Sequence, residues 1–471
     1  MPFKPVMLWT DALIFVLLAV VLIFIYRARS REHLRAPWRE VARSRTGMVT
    51  LVILLTYVFI GLLDSLHFRL PLSNTSNQPV EVQYSIEVLS LLDIIVTPLR
   101  TQDEKTYSAP FATQLYVKET IERPDGGQER VYPRLKYGGA HLKNPQQEQT
   151  GDIIAISVKA ILEGLLAWLI LAGAIIASLV RCKNSSFKAM FNKVRHGATE
   201  LPWRAILVTA GIIVLFIALA AELSVKYHVL GTDKVGQDVF YQAIKSIRTG
   251  LVIGTLTTLV MLPFAVLLGI MAGYFRGWVD DVVQYLYTTL SSIPGVLLIA
   301  AAILMLQVYI ANHPEQFDTV ALRADVRLLF LCIILGITSW TGLCRLLRGE
   351  TLKLREMDYI QAATAFGVGH FKIIARHILP NVMHIILITI VLDFSGLVLA
   401  EAVLSYVGVG VDPSTLSWGN MINSARMEMA RDPMVWWPLL AAFVFMFALV
   451  LSANLFSDTV RDAFDPRLRK L

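Results

Sequence analysis

Residues 251–273 read LVIGTLTTLVMLPFAVLLGIMAG, 23 positions without one ionisable side chain. An α-helix rises ~1.5 Å per residue, so this stretch is long enough to cross a bilayer core of ~30 Å. Working outward, similar apolar blocks lie near 8–26, 47–66, 153–180, 205–222, 281–306, 327–346, 383–405 and 436–456. These nine candidate helices predict an all-α polytopic membrane protein. Composition agrees, with 55% of the 471 residues hydrophobic, 17% charged and a mean hydropathy of +0.58. Soluble domains carry about a quarter charged residues, so a water-soluble enzyme is excluded.

The formal charge of +7 (43 Lys+Arg against 36 Asp+Glu) gathers in connecting loops, which points to membrane orientation rather than nucleic-acid binding. The 27–46 loop carries Arg27, Arg29, Arg31, Arg35, Arg39, Arg43 and Arg45, and the 181–204 loop Arg181, Lys183, Lys188, Lys193, Arg195 and Arg204. The 345–381 loop adds Arg345, Arg348, Lys353, Arg355, Lys372 and Arg376, and the tail Arg461, Arg467, Arg469 and Lys470. Nine spans put all four segments on one side, which the positive-inside rule makes cytoplasmic. The N-terminus is then outside and the C-terminus inside. The first apolar run has only Lys4 before it and arginines after it, so it reads as a retained span rather than a signal peptide. Cys182, Cys332 and Cys344 offer neither a disulfide framework nor a CxxC site. The nine histidines lack metal-ligand spacing, and no nucleophile–base pair is visible.

From 67 to 152 the chain is polar, mixed in charge and rich in Pro, Gly, Gln and Asn. A strand-like piece at 113–117 and the turn signal Pro124-Asp125-Gly126-Gly127 predict an extracytoplasmic insert, either a small domain or a long lid. The organisation expected is extra N-terminal helices over 1–66, the insert over 67–152, a third helix and basic loop over 153–204, and a core over 205–471.

Between the seventh and eighth blocks the chain reads RLLRGETLKLREMDYIQAATAFGVGHFKIIARHILPN, residues 345–381. Asp358 with Gln361 fits a capping box, Gly367 a C-terminal stop, and Pro380 the first turn of the next span. Ala362, Ala363 and Ala365 leave the flank of this short helix nearly bare. Either it is a solvated connector, or its small side chains let another protein approach its backbone.

Gln361-Ala362-Ala363, Gly367 and Ile378-Leu379-Pro380 resemble the EAA loop of ABC-importer permeases. The likeness is greatest to the second permease subunit of dipeptide, oligopeptide and nickel systems. Four further stretches match in order. They are Gly231-Thr232-Asp233 with Gly236-Gln237-Asp238-Val239; Gly273-Tyr274-Phe275-Arg276-Gly277-Trp278-Val279-Asp280; Ala400-Glu401-Ala402 through Ser405-Tyr406-Val407-Gly408-Val409-Gly410 to Ser417-Trp418-Gly419-Asn420-Met421; and Arg461-Asp462-Ala463-Phe464-Asp465-Pro466-Arg467. The family has Glu where Gln361 stands and Arg where Gln237 stands. Its six-span core corresponds either to the spans from 205 onward, or to 47–66 plus later spans with a hairpin inserted between.

The resemblance implies a coupling helix docked in an ATP-binding subunit, with Asp358, Tyr359, Gln361, Ala362, Ala363, Phe366 and Gly367 on it. It also implies a second homologous permease subunit, two ATP-binding subunits and an extracytoplasmic solute-binding protein, in a bacterial inner membrane. This chain has no G-x-x-x-x-G-K-[ST] loop, so it is not the ATPase. No cofactor is expected in it, ATP and Mg being held by the partners.

Other residues carry weaker signals. Asp393 falls near mid-bilayer, where an unpaired carboxylate costs at least ~2.5–3.5 kcal/mol. Gly396 and Ala400 put small residues on its face, and Glu401 lies nearer the outer end. Asp393 then either meets a cationic group of the cargo or pairs with a neighbouring helix. Lys159 and Glu163 suit an i,i+4 pair. Gly250…Gly254 and Gly269…Gly273 suit close helix packing. Residues 239–248 read as a short amphipathic helix capped by Asp238. The expected cargo is a di- or oligopeptide, with nickel or another small solute as the alternative. A stand-alone secondary transporter should show internal repeats, and none is clear.

Overall fold

The computed structural model describes residues 3–28, 32–71, 83–122, 128–184, 186–317 and 319–464. The turn signal at 124–127, Arg29, Arg31 and the tail from Asp465 onward lie outside them. In chain order the elements begin with β1 (Lys4–Val6), α1 (Trp9–Ala28), α2 (Glu32–Arg43), α3 (Arg45–Asp64) and β2 (His67–Arg69). The insert holds β3 (Leu89–Ser90), α4 (Leu91–Ile95), α5 (Thr97–Thr101), β4 (Glu119–Glu122) and β5 (Gln128–Val131). Then come α6 (Pro145–Lys183), α7 (Phe187–His196), α8 (Trp203–Ser224), α9 (Val239–Phe275), α10 (Trp278–Ser292), α11 (Gly295–Asn312) and α12 (Val320–Ser339). The chain closes with α13 (Thr341–Arg355), α14 (Asp358–Ala365), α15 (His370–Ile373), α16 (Leu379–Tyr406), α17 (Trp418–Glu428) and α18 (Trp437–Phe464).

By length and apolarity alone, eight helices among the described residues would cross a membrane, and the helix at the ninth expected place falls outside that count only because of its charges. The span expected at 327–346 is α12, whose early turns hold Arg323, Asp325 and Arg327. Each has a partner: Arg323 Nε donates to the Phe317 carbonyl at 2.8 Å, Asp325 accepts from the Trp9 N–H at 2.8 Å, and Arg327 pairs with Asp412 at 3.5 Å. The span expected at 281–306 is broken between α10 and α11. Pro294 disfavours a helical conformation at the residue before it, and Ile293 is extended (φ −87°, ψ 129°).

The two ends of the bundle are distinct. At one, β1 pairs with β2 and β2 with β3, tying the N-terminal strand to the insert. At the other, α2 packs on the end of α18: Trp38 meets Phe464 edge-on at 5.5 Å, and Val41 clusters with Val460. Arg43, Arg45, His196 and Arg204 share a cleft there. Leu387 of α16 joins the α2–α18 cluster, so the basic segments gather at this end.

α9 is the spine, 37 residues buried on several sides against α3, α12, α13, α16 and α18. The separate amphipathic helix expected at 239–248 does not exist, because its residues are the first turns of α9. Its polar side chains are matched instead: Lys245 Nζ reaches Asp64 at 2.5 Å and Asp93 at 3.0 Å, and Arg248 pairs with Asp11 at 2.6 Å. The glycine spacings do permit close approach. A Cβ at Gly269 would lie 2.8 Å from the Cys344 carbonyl, and one at Gly273 2.7 Å from that of Arg348. Lys159 pairs with Glu163 at 3.6 Å and also with Glu222 of α8 at 2.9 Å.

The insert is a cap on the helix ends. Tyr107 is buried with Val435, Trp437 and Ala441, and Leu99 with Ala220 and Phe240. The piece at 113–117 makes one bridge, Gln114 to Arg134, and the hairpin is β4–β5.

Candidate functional site

α14 lies at the basic end, between α13 and the helix leading into α16. Its N-cap is Met357 (φ −72°, ψ 139°), not Asp358, and no side chain caps it. The capping box therefore does not form. Asp358 is the first helical residue, where its charge favours the positive end of the helix dipole. Gln361 Nε2 instead donates to the Glu356 carbonyl at 3.1 Å. The C-terminal stop forms as expected. Gly367 takes φ +75°, its N–H bonds to the Thr364 carbonyl (3.0 Å), and the Val368 N–H bonds to that of Ala363 (3.1 Å). That is a Schellman motif, which satisfies carbonyls the helix end would leave open.

One side of α14 is seated. Ile360 is buried beside Ile373 and Ile378, and Ala363 packs partly against the same cluster. The other side is free: Asp358, Gln361 and Ala362 are exposed, Tyr359 is 43% exposed, and Phe366 is 87% exposed. Phe371, just beyond, is 84% exposed. Burying a Phe side chain is worth ~1.5–3 kcal/mol, so this pair is a strong apolar anchor that no described residue covers.

Pairs from the 273–280 motif brace the region, and the sequence reading missed them. Asp280 and Arg348 form a two-pronged pair at 2.5 and 2.7 Å. Arg276 pairs with Glu356, just before α14, and the Tyr274 hydroxyl lies 2.9 Å from His370 Nδ1, just after it. Residues 374–378 form a π-helical turn leading into α16. Pro380, in the first turn of α16 as expected, cannot donate the usual backbone hydrogen bond.

Farther along α16, Phe394 packs on Gly254, and Ser395 Oγ donates to Asn454 Oδ1 at 2.6 Å. Asp393 is half-buried and makes no hydrogen bond or ion pair among the described residues. A Cβ at Gly396 would meet nothing within 4 Å, and Leu392, Leu399 and Val403 on that face are exposed. Glu401 does not share this face. It is buried, accepts from Ser405 Oγ at 2.7 Å, and lies against Gly419 of α17.

The outer motif at 231–239 is a clasp. Asp238 caps α9, accepting from the N–H groups of Phe240 (2.8 Å) and Tyr241 (3.1 Å). Gly236 takes φ +81°, and a Cβ there would lie 1.8 Å from the Glu104 carbonyl oxygen. Gln237, where the family has Arg, sits in the turn with its N–H donating to Asp233 at 2.9 Å. His228 stands between Asp238 (2.8 Å) and Glu104 (3.5 Å), buried with both. Burial disfavours the imidazolium, but the two carboxylates outweigh it and push its pKa up to about 9. Glu104 goes the other way: burial opposes its charge, while His228 and the N–H groups of Lys136, Tyr137 and Gly138 hold it down at about 2.

Residues 265–470 match the binding-protein-dependent transport system inner membrane component family. The glutathione transport system permease protein GsiD of Pectobacterium atrosepticum is 30% identical over 307 residues, 59% of this chain and 95% of that protein. The chain belongs to this family. An oligopeptide transport system permease protein of Mycobacterium tuberculosis is 30% identical over 52% of this chain and 77% of its own length. A dipeptide transport system permease protein of Lactococcus lactis is 30% identical over 51% and 64%. This is therefore a multi-pass inner-membrane permease of the ABC type, and the family implies ATP-binding and solute-binding partners. The matched residues contain all of α14 and α16, whereas the cap and α1 to α8 lie outside them.

Proposed function

We propose that this permease is one of two similar transmembrane subunits of an ATP-driven importer of di- or oligopeptides. Cargo arrives from an extracytoplasmic solute-binding protein at the capped end, and two ATP-binding subunits, which hold ATP and Mg, dock at the basic end. ATP hydrolysis belongs to those subunits. The N-terminus and cap are outside and the C-terminus is cytoplasmic. The observation that carries the reading is α14: a short helix seated by Ile360, closed by Gly367, and presenting Ala362, Phe366 and Gln361 outward at the basic end. Three relatives named for glutathione, oligopeptide and dipeptide transport support peptide cargo. In the family's place for Glu, Gln361 offers a neutral amide to the ATPase. The open face of α16, with Asp393 at its edge and Gly396 upon it, belongs to the pathway, where the carboxylate meets a cargo cation. Glu401, buried against α17, supports that wall from behind.

Within this reading α3 rather than α8 fills the first core position. α3 packs on α9 and α18, while α8 pairs chiefly with α6, so 145–224 is the inserted hairpin.

The test is Ala362→Arg. Ala363 packs partly on its own core, so a large residue there would disturb the fold as well as the docking. Ala362 is exposed, and Arg at that position blocks only a partner. Membrane insertion should be unchanged, while uptake and co-purification of the ATPase should both fall at least tenfold. Wild-type uptake by this variant would reject the docking role.

A further inference from the structure

The hairpin of α6 and α8, with α7 laid across its end, encloses a groove that the transport reading does not use. Its volume is 560 Å³, lined by Trp168, Ala172, Ile176, Phe187, Phe191 and Leu207. α7 has two characters. Met190 and Val194 are buried against α6 and α8, Phe187 and Phe191 are about half exposed along the groove, and Lys188, Lys193 and Arg195 ride on the same short helix. At its basic end the groove runs, through His196, Arg204 and Val208, into a second cleft of 660 Å³ that also contains Arg43 and Arg45.

The charges in this second cleft are unmatched. The side chains of Arg43, Arg45 and Arg204, which line it, and of Arg195, which lines the first groove, make no ion pair or hydrogen bond among the described residues. The one carboxylate that lines the cleft, Glu200, forms no ion pair either. Four arginines thus line the two joined clefts beside an apolar slot at the end of the membrane helices. Basic pockets between membrane helices recognise anionic headgroups, and an in-plane helix with a basic face lies at that same depth. Free phosphate would use the cations but leave the slot empty. A zwitterionic lipid would fill the slot but bring an ammonium to the arginines.

We propose that the composite groove binds an anionic diacyl phospholipid, its phosphate among Arg45, Arg195 and Arg204 and an acyl chain along Trp168, Ala172 and Ile176. Bound there, the lipid fastens the peripheral hairpin to the α2–α3 corner, since Arg43 and Arg45 of that corner and Arg204 of the hairpin line the same cleft, and Arg195 lines the groove that opens into it. The inference needs only that the chain is a membrane protein, so it stands or falls apart from the coupling assignment.

Trp168 supplies a reporter within the groove. The full-length chain is placed in nanodiscs of phosphatidylcholine doped with brominated phosphatidylglycerol or brominated phosphatidylcholine, and tryptophan quenching is compared. Phosphatidylglycerol should quench in excess at equal mole fraction, and the excess should vanish in Trp168→Phe. In Arg195→Gln/Arg204→Gln the apparent preference should fall on the order of twentyfold, about fivefold per arginine. If that variant is not recovered folded, the same excess in the wild type must shrink as NaCl is raised, because the attraction is screened. Equal quenching by both lipids overturns the proposal. So does an excess that survives removal of the arginines, or one indifferent to salt. Loss of the excess on adding millimolar inorganic phosphate while the acyl bromines stay near Trp168 would make the cleft a phosphate site and also reject it.

Discussion

Replacing His228 by Gln tests whether a buried charge holds the cap on the permease. The imidazole is 2% exposed, with carboxylates of Asp238 and Glu104 at 2.8 and 3.5 Å, and its pKa stands near 9 against 6.5 when free. A group whose pKa is raised on folding stabilises below its unfolded pKa and loses that contribution as pH rises through the folded one. The stabilisation is therefore complete below about pH 6.5 and gone above about pH 9. At 1.36 kcal/mol per unit, the difference of 6.5 to about 9 amounts to about 3 kcal/mol. Cap and clasp share this triad, so the cap should open as the proton leaves. Protease cleavage within residues 83–122 reads that opening when reclosing is fast. The wild-type rate, divided by the variant's to remove the protease's own pH response, should rise on the order of 100-fold between pH 6.5 and 9.5. The variant keeps the N-cap of α9 and the three backbone donors to Glu104, so it still folds. Parallel profiles for the two proteins would show that His228 does not carry a linked proton.

Asp393→Asn should leave the chain's own stability within about 0.5 kcal/mol, because the carboxylate has no partner among the described residues to strand. Uptake should fall most for cargo with a free amine, and equal loss for neutral cargo would count against a cargo contact. In intact cells, a membrane-impermeant thiol reagent should label Asn144→Cys, at the cap end of α6, but not exposed Cys182 at its other end; the reverse would invert the orientation. Asp280→Asn weakens the pair with Arg348, whose side chain is 25% exposed, so solvent screening limits the cost to ~1–2 kcal/mol. ATP hydrolysis by the assembled complex should continue while uptake per ATP drops, and an unchanged ratio would remove Asp280 from the bracing.

The apolar periodicity of α3, α9, α16 and α18 made the fold class readable, because a bilayer demands runs of that length whatever their neighbours. α12 was harder, since its charges are tolerable only through partners in α1, at Phe317 and in the loop at Asp412. Those partners are distant in sequence. Of the site, Gly367 announced its own left-handed turn, a property of one residue. The start of α14 was misplaced by one position, because Met357 supplies an extended backbone without a capping side chain. The brace of Asp280 on Arg348 spans 68 positions and depends on α10 lying beside α13, which no local pattern encodes. The cap was least legible. Its internal order rests on side-chain to backbone bonds distant in sequence, such as Glu104 to the N–H groups of residues 136–138.

Under the proposed docking, these ties decide what a push on α14 does. To shift α14 against α13 alone, the chain must withdraw Ile360 from its cluster and break the Arg276–Glu356 and Tyr274–His370 contacts on either side. Moving α13, α14, α15, the 374–378 turn and the lower half of α9 together breaks none of them, and Gly269 and Gly273 hold α13 close along that half. The upper end of α9 is held by Asp238 and, through His228, by the cap. A 37-residue helix fixed at both ends must tilt as a rod or bend within. Its one internal proline, Pro263, lies between those fixed ends and cannot donate the usual hydrogen bond one turn back. Bending there costs less than anywhere else along α9, because one bond is already missing. The lower half can then follow α14 while the clasp stays shut, so the motion opens the bundle between the fixed outer end and the driven inner one.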